Sequence, residues 1–169
     1  MNALLLPGNS PRHAEWVEHL KTAITPEFDT VKTQHYHHWK TGEEWADVEY
    51  ELTMARENTV ALEPYVIIAK SIGTVIATRG VAEDVLDPTK IILLGIPING
   101  GAKIELIKEW LTEIAIPIVI IQNMDDPLGS FADVKAAFDG IGEHVSFVEL
   151  PGETHDYVDF EAITRFIHA

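Results

Sequence analysis

The sequence predicts one three-layer α/β domain, doubly wound around about six parallel strands. Apolar runs of strand length alternate with helical patterns along the whole chain of 169 residues. Most of the runs are rich in Val, Ile and Leu with little polar alternation, which is typical of parallel strands that helices cover on both faces. The length suits a single core, and no repeat or linker is evident. We therefore expect residues 1–169 to form one domain.

Each predicted strand is followed by a predicted helix. The strands read NALLL (2–6), DTVKTQH (29–35), YVIIA (65–69), IILLGI (91–96), PIVIIQ (117–122) and VSFVE (145–149), and the helices are expected at 11–23, 43–57, 72–80, 102–113, 130–138 and 157–168. Ser10 before Pro11 indicates the start of the first helix, because serine caps helices and proline suits the first helical position. Thr41 and Glu44 match a capping box for the second helix.

Composition limits the partners that the chain can have. The chain carries 27 acidic and 12 basic residues, a formal net charge of -15, so we expect neither nucleic acid nor an anionic membrane as partner. Cysteine is absent, which excludes thiolate catalysis and cysteine-ligated zinc. No apolar run reaches the roughly 18 residues of a membrane span. The start, MNALLLPG, lacks the basic segment of a signal peptide, so we expect a cytoplasmic location.

The loops after the strands are the expected place for a ligand, because ligands in such folds bind beyond the carboxyl ends of the strands. A serine, two aspartates and several histidines occur in these loops, which read PGNSPR (7–12), YHHW (36–39), KSIG (70–73), PINGG (97–101), NMDDPLGS (123–130) and PGETHDY (151–157). The sequence therefore predicts a catalytic or binding site along one rim of the sheet.

Ser71 stands at a corner between a predicted strand and a predicted helix. The surrounding string A-K-S-I-G is a near match to the G-x-S-x-G nucleophile elbow, with Ala69 and Gly73 as its small residues. In such an elbow the backbone N–H of Ile72, at the start of the helix, points at the developing oxyanion. A sharp strand-to-helix turn without catalysis is the alternative explanation of the same string.

Asp126 and His155 follow the fifth and the sixth predicted strand. Together with Ser71 they give the chain order Ser, Asp, His that an α/β-hydrolase uses. In this interpretation His155 takes the serine proton and a carboxylate fixes the tautomer of His155. Asp125 competes with Asp126 for the acid role, and we favour Asp126 because it directly precedes Pro127.

These motifs resemble the α/β-hydrolase superfamily, in particular the small capless serine hydrolases related to the retinoblastoma-binding hydrolase and its bacterial counterparts. Leu6-Pro7-Gly8-Asn9 and Asp125-Asp126-Pro127 match segments of that family, and the resemblance spans nearly the whole chain. It implies a minimal hydrolase fold without a cap domain and without the first two strands of the full superfamily sheet. It also implies that the N–H of Asn9 or Ser10 is the second oxyanion donor. The chain departs from the family pattern at Ala69, where glycine is usual, and at Lys70, where histidine is common.

The segment HYHHW (35–39) has two interpretations. His35 and His37 could share one strand face and bind zinc, but no further ligand completes a four-ligand site. We expect instead that His37, His38 and Trp39 end the second strand at the rim and line the substrate cleft, with ordinary packing as the open alternative. Lys70 could bind an anionic group of the substrate, although a solvated lysine at the rim is the simpler expectation.

Two further features have plain structural explanations beside functional ones. The PINGG segment (97–101) could move as a short lid or form a wall of the acyl site, or it could be a simple loop. Trp16, Trp45 and Trp110 fall within helical patterns, for which packing is the default role.

We therefore expect a cofactor-free serine hydrolase that needs no metal and cleaves a small or exposed acyl ester, thioester or amide. Ser71 is the expected nucleophile, His155 the base and Asp126 its orienter. A protein-interaction module with the same fold and a vestigial triad is the alternative, and its partner would be another protein. A nucleotide- or phosphate-binding domain fits less well, because no Gly-rich phosphate loop follows the first strand.

Overall fold

A computed structural model describes residues 1–101 and 103–167. Within these residues the chain forms six strands, which are β1 (Asn2–Leu6), β2 (Thr30–Thr33), β3 (Tyr65–Lys70), β4 (Lys90–Leu94), β5 (Ile118–Asn123) and β6 (Val145–Leu150). The α-helices are α1 (His13–Ile24), α2 (His38–Thr41), α3 (Val48–Thr59), α4 (Ile72–Ala82), α5 (Ile104–Glu113), α6 (Phe131–Ala137) and α7 (Phe160–Thr164), and a short 3₁₀ turn spans Thr25–Glu27.

The six strands form one parallel sheet in the order β2-β1-β3-β4-β5-β6. Helices cover both faces, as the continuous apolar strands predict. Along β1, Ala3 and Leu5 pack on the side of α1 and α7, while Leu4 and Leu6 pack on the side of α3 to α6. The predicted three-layer, doubly wound α/β fold is therefore confirmed.

The register brings the carboxyl ends of the strands to one rim. Lys70 at the end of β3 lies opposite Leu94 at the end of β4, and Asn123 at the end of β5 lies opposite Leu150 at the end of β6. The loops that follow these strands are therefore neighbours. In the described part of the chain, no helix combines the length and the apolar character that crossing a membrane requires.

Several predicted boundaries are wrong. The second predicted helix begins at Val48 rather than at 43, because Asp47 accepts hydrogen bonds from the backbone N–H groups of Glu49 and Tyr50 and so caps the helix there. Thr41 instead ends α2, a short helix that the sequence did not indicate. The second strand ends at Thr33, two residues before its predicted end.

The ends of the first and the last helix also differ from the prediction. The first helix starts at His13, two residues late, because Ser10 and Pro11 form a turn before it: Ser10 accepts a hydrogen bond from the N–H of His13 through its carbonyl and from that of Arg12 through its hydroxyl. The last helix covers only Phe160–Thr164. Residues 102 and 168, at the ends of two predicted helices, lie outside the described residues.

Candidate active site

Ser71 occupies the sharp corner between β3 and α4. Its backbone has φ 55° and ψ −122°, in the positive-φ region that residues other than glycine rarely adopt and that costs roughly 1–3 kcal/mol. Its N–H donates to the carbonyl of Leu94 at the end of β4 (3.0 Å). Such strain is maintained where the surroundings fix the conformation, and it is the geometry that a nucleophile elbow requires.

Small residues flank this corner for a steric reason. A Cβ placed on Gly73 would lie 2.4 Å from the carbonyl oxygen of Leu6 and 2.7 Å from that of Pro7. Both atoms belong to the backbone of the neighbouring β1 segment and cannot move aside. Ala69, where the family pattern has glycine, is fully buried in β3, and the elbow conformation of Ser71 forms with alanine at that position.

Asp126 and His155 form a buried pair. Nδ1 of His155 lies 2.8 Å from Oδ2 and 3.0 Å from Oδ1 of Asp126, and Asp126 is only 3% exposed. Asp125, the competing acid, is exposed, and its N–H donates to the carbonyl of Gly152. The structure therefore places Asp126, and not Asp125, against the histidine.

Three further groups, from Tyr157, Leu128 and Gln122, hold this carboxylate, and no local sequence pattern indicates them. Tyr157 donates its hydroxyl hydrogen to Oδ2 of Asp126 (2.7 Å) and accepts a hydrogen bond from the N–H of Asn123. The N–H of Leu128 donates to Oδ1 (2.8 Å), and the amide of Gln122 approaches Oδ2 at 3.4 Å. Burial raises the pKa of Tyr157, so its hydroxyl remains a donor at neutral pH. The carboxylate is thus fixed in orientation.

Ser71 and His155 both contact the end of β4. The N–H of Ser71 donates to the carbonyl of Leu94. A Cβ on Gly95, the next residue, would be 2.9 Å from Cε1 of His155, so the histidine ring lies over Gly95. No hydrogen bond joins the two side chains, and Nε2 of His155 is buried without a partner among the described residues. In the neutral tautomer that donates Nδ1–H to Asp126, Nε2 carries the lone pair. The hydrogen bond between a catalytic hydroxyl and its histidine base is often long in a ligand-free enzyme and tightens only with substrate.

The loop after β1 is fixed by the segment that follows β2. The carbonyl of Asn9 accepts two hydrogen bonds, one from Nε2 of His38 and one from Nε1 of Trp39, each 2.8 Å long. The amide side chain of Asn9 bridges to the segment before α3, where it bonds the carbonyl of Glu44 and the N–H of Ala46. Nε2 of His38 and Nε1 of Trp39 therefore contact this loop and not an open cleft.

Three backbone N–H groups near Ser71 remain available for a ligand. Those of Asn9, Ser10 and Ile72 donate to no acceptor among the described residues. The Ile72 group belongs to the first turn of α4, where an N–H has no partner within the helix. The anchored carbonyl of Asn9 also fixes the direction of the Ser10 N–H, because the two groups of a trans peptide point in opposite directions.

The second strand ends at Thr33, so it does not place His35 and His37 on one strand face as the zinc interpretation requires. Nε2 of His35 lies 3.0 Å from the carboxylate of Glu18, whereas the exposed His37 packs its ring on Tyr50. Over residues 1–101 and 103–167, no three His, Asp or Glu side chains are grouped so that they could hold a metal ion.

Lys70 is not the solvated rim lysine that the sequence suggested. Its side chain is fully buried, with Nζ 2.8 Å from Nε2 of His13 and 5.4 Å from the centre of the Trp16 ring. The expectation failed because β3 is central in the sheet, so that α1 covers the side chain of its last residue. No local sequence pattern indicates His13 and Trp16 as its partners, since they lie more than 50 residues away in sequence.

Burial changes the acid–base properties of this pair. It lowers the pKa of Lys70 to about 8, an effect that the nearby carboxylates of Asp156 and Asp126 offset only in part. It also lowers the pKa of His13 to about 4, and the charge of Lys70 acts in the same direction. His13 is therefore neutral at pH 7 and accepts a hydrogen bond from the lysine ammonium through Nε2.

A cavity of about 520 Å³ adjoins the elbow. Pro97, Gly100 and Gly101 of the PINGG segment form part of its wall. Trp45 and Trp110 also line it. Trp45 lies before α3 rather than within a helix and is 63% exposed.

No family model matches the sequence, and no curated protein matches it either. Solved structures match it over nearly its whole length. A Xanthomonas campestris protein described as a hydrolase of the α/β superfamily has 19% identity and a TM-score of 0.72, with 97% of this chain and 94% of that chain covered.

Two further solved structures are similar to the same extent. The Pyrococcus furiosus esterase Pf2001 has 14% identity and a TM-score of 0.75, with 99% of this chain and 82% of that chain covered. Est1E from Butyrivibrio proteoclasticus, solved with ferulic acid bound, has 12% identity and a TM-score of 0.71, with 97% and 85% covered. The chain has the α/β-hydrolase fold, in a minimal form with six parallel strands over residues 1–101 and 103–167.

Proposed function

We propose that this chain is a serine hydrolase that cleaves a carboxylic ester through an acyl-enzyme on Ser71. The observation that carries the proposal is the buried Asp126–His155 pair, with an unpartnered Nε2, at the same strand end to which Ser71 is bonded in its strained elbow conformation. A serine that merely turned the chain would need neither the positive φ nor a histidine held by a buried carboxylate.

In the first half of the reaction, Oγ of Ser71 attacks the ester carbonyl and its proton passes to Nε2 of His155. The carboxylate of Asp126 keeps Nδ1 protonated and stabilises the imidazolium that forms. The tetrahedral intermediate collapses when the alcohol departs with the proton from Nε2. Water then attacks the acyl-enzyme with His155 again as base, which releases the acid and restores Ser71.

The oxyanion of both tetrahedral intermediates needs hydrogen-bond donors that are already in place. We assign this role to the N–H groups of Ile72 and Asn9. The Ile72 N–H starts a helix, whose dipole favours negative charge at that end. The side chain of Asn9 is anchored to the carbonyl of Glu44 and the N–H of Ala46, and its carbonyl to His38 and Trp39, so the residue that carries this N–H is held on both sides. One such donor is worth about 10²–10³ in kcat in a comparable site.

The proposal is tested by hydrolysis of p-nitrophenyl butyrate by the wild-type chain, Ser71→Ala and Ser146→Ala. Ser146→Ala is the matched control, because Ser146 lies on β6 and bonds only the carbonyl of Ile118. We expect Ser71→Ala to lose essentially all turnover, since loss of a nucleophile costs about 10⁶-fold in kcat, and Ser146→Ala to retain it. Equal rates for the wild type and Ser71→Ala would refute the proposal and favour the interaction module.

A further inference from the structure

The cavity beside the elbow is predominantly apolar. It lies between α4, α5 and the segment before α3, and we call it the apolar cavity. Its volume of about 520 Å³ is within the range of roughly 300–1,000 Å³ for small-molecule sites. Most of its lining is hydrocarbon or aromatic, including Trp45, Val48, Ile72, Val75, Ile107 and Trp110.

The apolar cavity borders the proposed oxyanion donors. Asn9 and Ile72, the proposed oxyanion donors, both line it. Ile72 directly follows Ser71, and a Cβ on Gly8, the residue before Asn9, would lie 3.2 Å from Cβ of Ser71. A carbonyl oxygen held between the two N–H groups therefore leaves one substituent of its carbonyl carbon at the entrance of the cavity.

The direction of proton transfer decides whether the acyl or the alcohol half of an ester enters the apolar cavity. The departing alcohol takes its proton from Nε2 of His155, so it must lie on the side of that histidine. None of the described residues that line the apolar cavity belongs to the loop 151–157, which carries His155. On the His155 side a different cavity, of about 360 Å³, includes the charged Arg12 and Asp156 in its lining. The apolar cavity is therefore left for the acyl half.

The charges at the apolar cavity do not select an anionic acyl group. Arg79 lines it, but the guanidinium is paired with Glu49 at 2.6 Å and with Glu83 at 2.8 Å. Lys103, the other basic residue of the lining, is exposed. An uncharged hydrocarbon chain or ring is what the remaining surface favours.

From these observations we infer that the substrates are esters of apolar carboxylic acids longer than acetate, with the hydrocarbon part of the acid in the apolar cavity. The inference rests on the proposed function. It replaces the expectation of a small or exposed acyl group with a defined class of substrate.

The test compares kcat/KM for p-nitrophenyl acetate, butyrate, hexanoate and octanoate. Each methylene that is fully buried should raise kcat/KM roughly fourfold until the cavity is filled. Val75 is half-buried and lines the cavity from α4, one turn after Ile72, so Val75→Phe should fill the space. This variant should lower the ratio of kcat/KM for the octanoate ester to kcat/KM for the acetate ester by at least roughly tenfold, the equivalent of about two buried methylenes.

Val60→Phe is the matched control, because Val60 is 80% exposed at the end of α3. This variant should show the same dependence of kcat/KM on acyl chain length as the wild type. A second readout does not depend on turnover: octanoate should bind Ser71→Ala more tightly than acetate does, as followed by tryptophan fluorescence, since two of the four tryptophans line the cavity.

The outcomes separate this inference from the function on which it rests. Serine-dependent hydrolysis that is flat or falls with chain length, or a Val75→Phe variant that slows both esters equally, overturns the acyl assignment and leaves the hydrolase proposal intact. Octanoate that binds no more tightly than acetate overturns the assignment as well. Absence of Ser71-dependent hydrolysis for every ester refutes the proposed function and this inference with it.

Discussion

Lys70→Met should abolish a pH dependence of folding stability that the buried lysine imposes. Lys70 is fully buried, and burial lowers its pKa from 10.5 to about 8 in the folded chain. Between these two values the unfolded chain holds a proton that the folded chain has released, so stability rises with pH across this window. As pH falls from 10.5 to 8 that stability is lost. The full difference between the two pKa values corresponds to about 3 kcal/mol in the free energy of unfolding.

Urea unfolding of the wild type and Lys70→Met at pH 7 and pH 9.5 measures this effect. From pH 7 to 9.5 the free energy of unfolding of the wild type should gain about 2 kcal/mol relative to the variant, most of the total. Lys108→Met, at an exposed position of α5, is the control and should show no such gain. A difference between wild type and Lys70→Met that stays constant over this range would refute the argument that burial lowers the pKa of Lys70.

Three further predictions concern the elbow and the triad. Asp126→Asn should lower kcat by about 10⁴-fold while Asp125→Asn changes it little, because only Asp126 contacts His155; the reverse ranking in folded variants would reassign the acid. Gly73→Ala should lower the free energy of unfolding by about 1–3 kcal/mol in urea melts, because its Cβ would lie 2.4 Å from the Leu6 carbonyl oxygen; unchanged stability would show that the elbow has room for a side chain. EDTA should leave ester hydrolysis unchanged, since the proposed steps use only side-chain and backbone groups, and a loss that zinc restores would contradict this.

The sheet could be predicted from sequence because its strands are continuous apolar runs. YVIIA and IILLGI match β3 and β4 closely, since burial on both faces leaves few other places for such segments. The start of α3 could not be placed from sequence, because two caps are acceptable. One is the capping box of Thr41 with Glu44, and the other is Asp47 by itself. The choice between them depends on how Asn9 holds residues 44 and 46, a contact across more than 30 residues.

The residues of the proposed triad could be selected from local motifs, but the groups around them could not. Ser71, Asp126 and His155 each follow a recognisable strand, at the sheet edge where ligands bind in such folds, and Ser71 lies in an elbow motif. The contact of Lys70 with His13 joins residues 57 apart, and nothing in either local pattern indicates it. Tyr157 stands only two residues after His155, yet its bond to Asp126 depends on a backbone with φ 53°, which the string PGETHDY does not reveal.

The most direct test of the central claim is whether Ser71 is activated. An unactivated serine should ignore a fluorophosphonate, whereas one with a base and oxyanion donors in place should react. We predict that the probe adds once to the folded chain, that peptide mapping places the adduct on Ser71, and that Ser71→Ala and His155→Ala both abolish it. Failure to label under conditions in which a known serine hydrolase reacts, or an adduct at another residue, would contradict the claim.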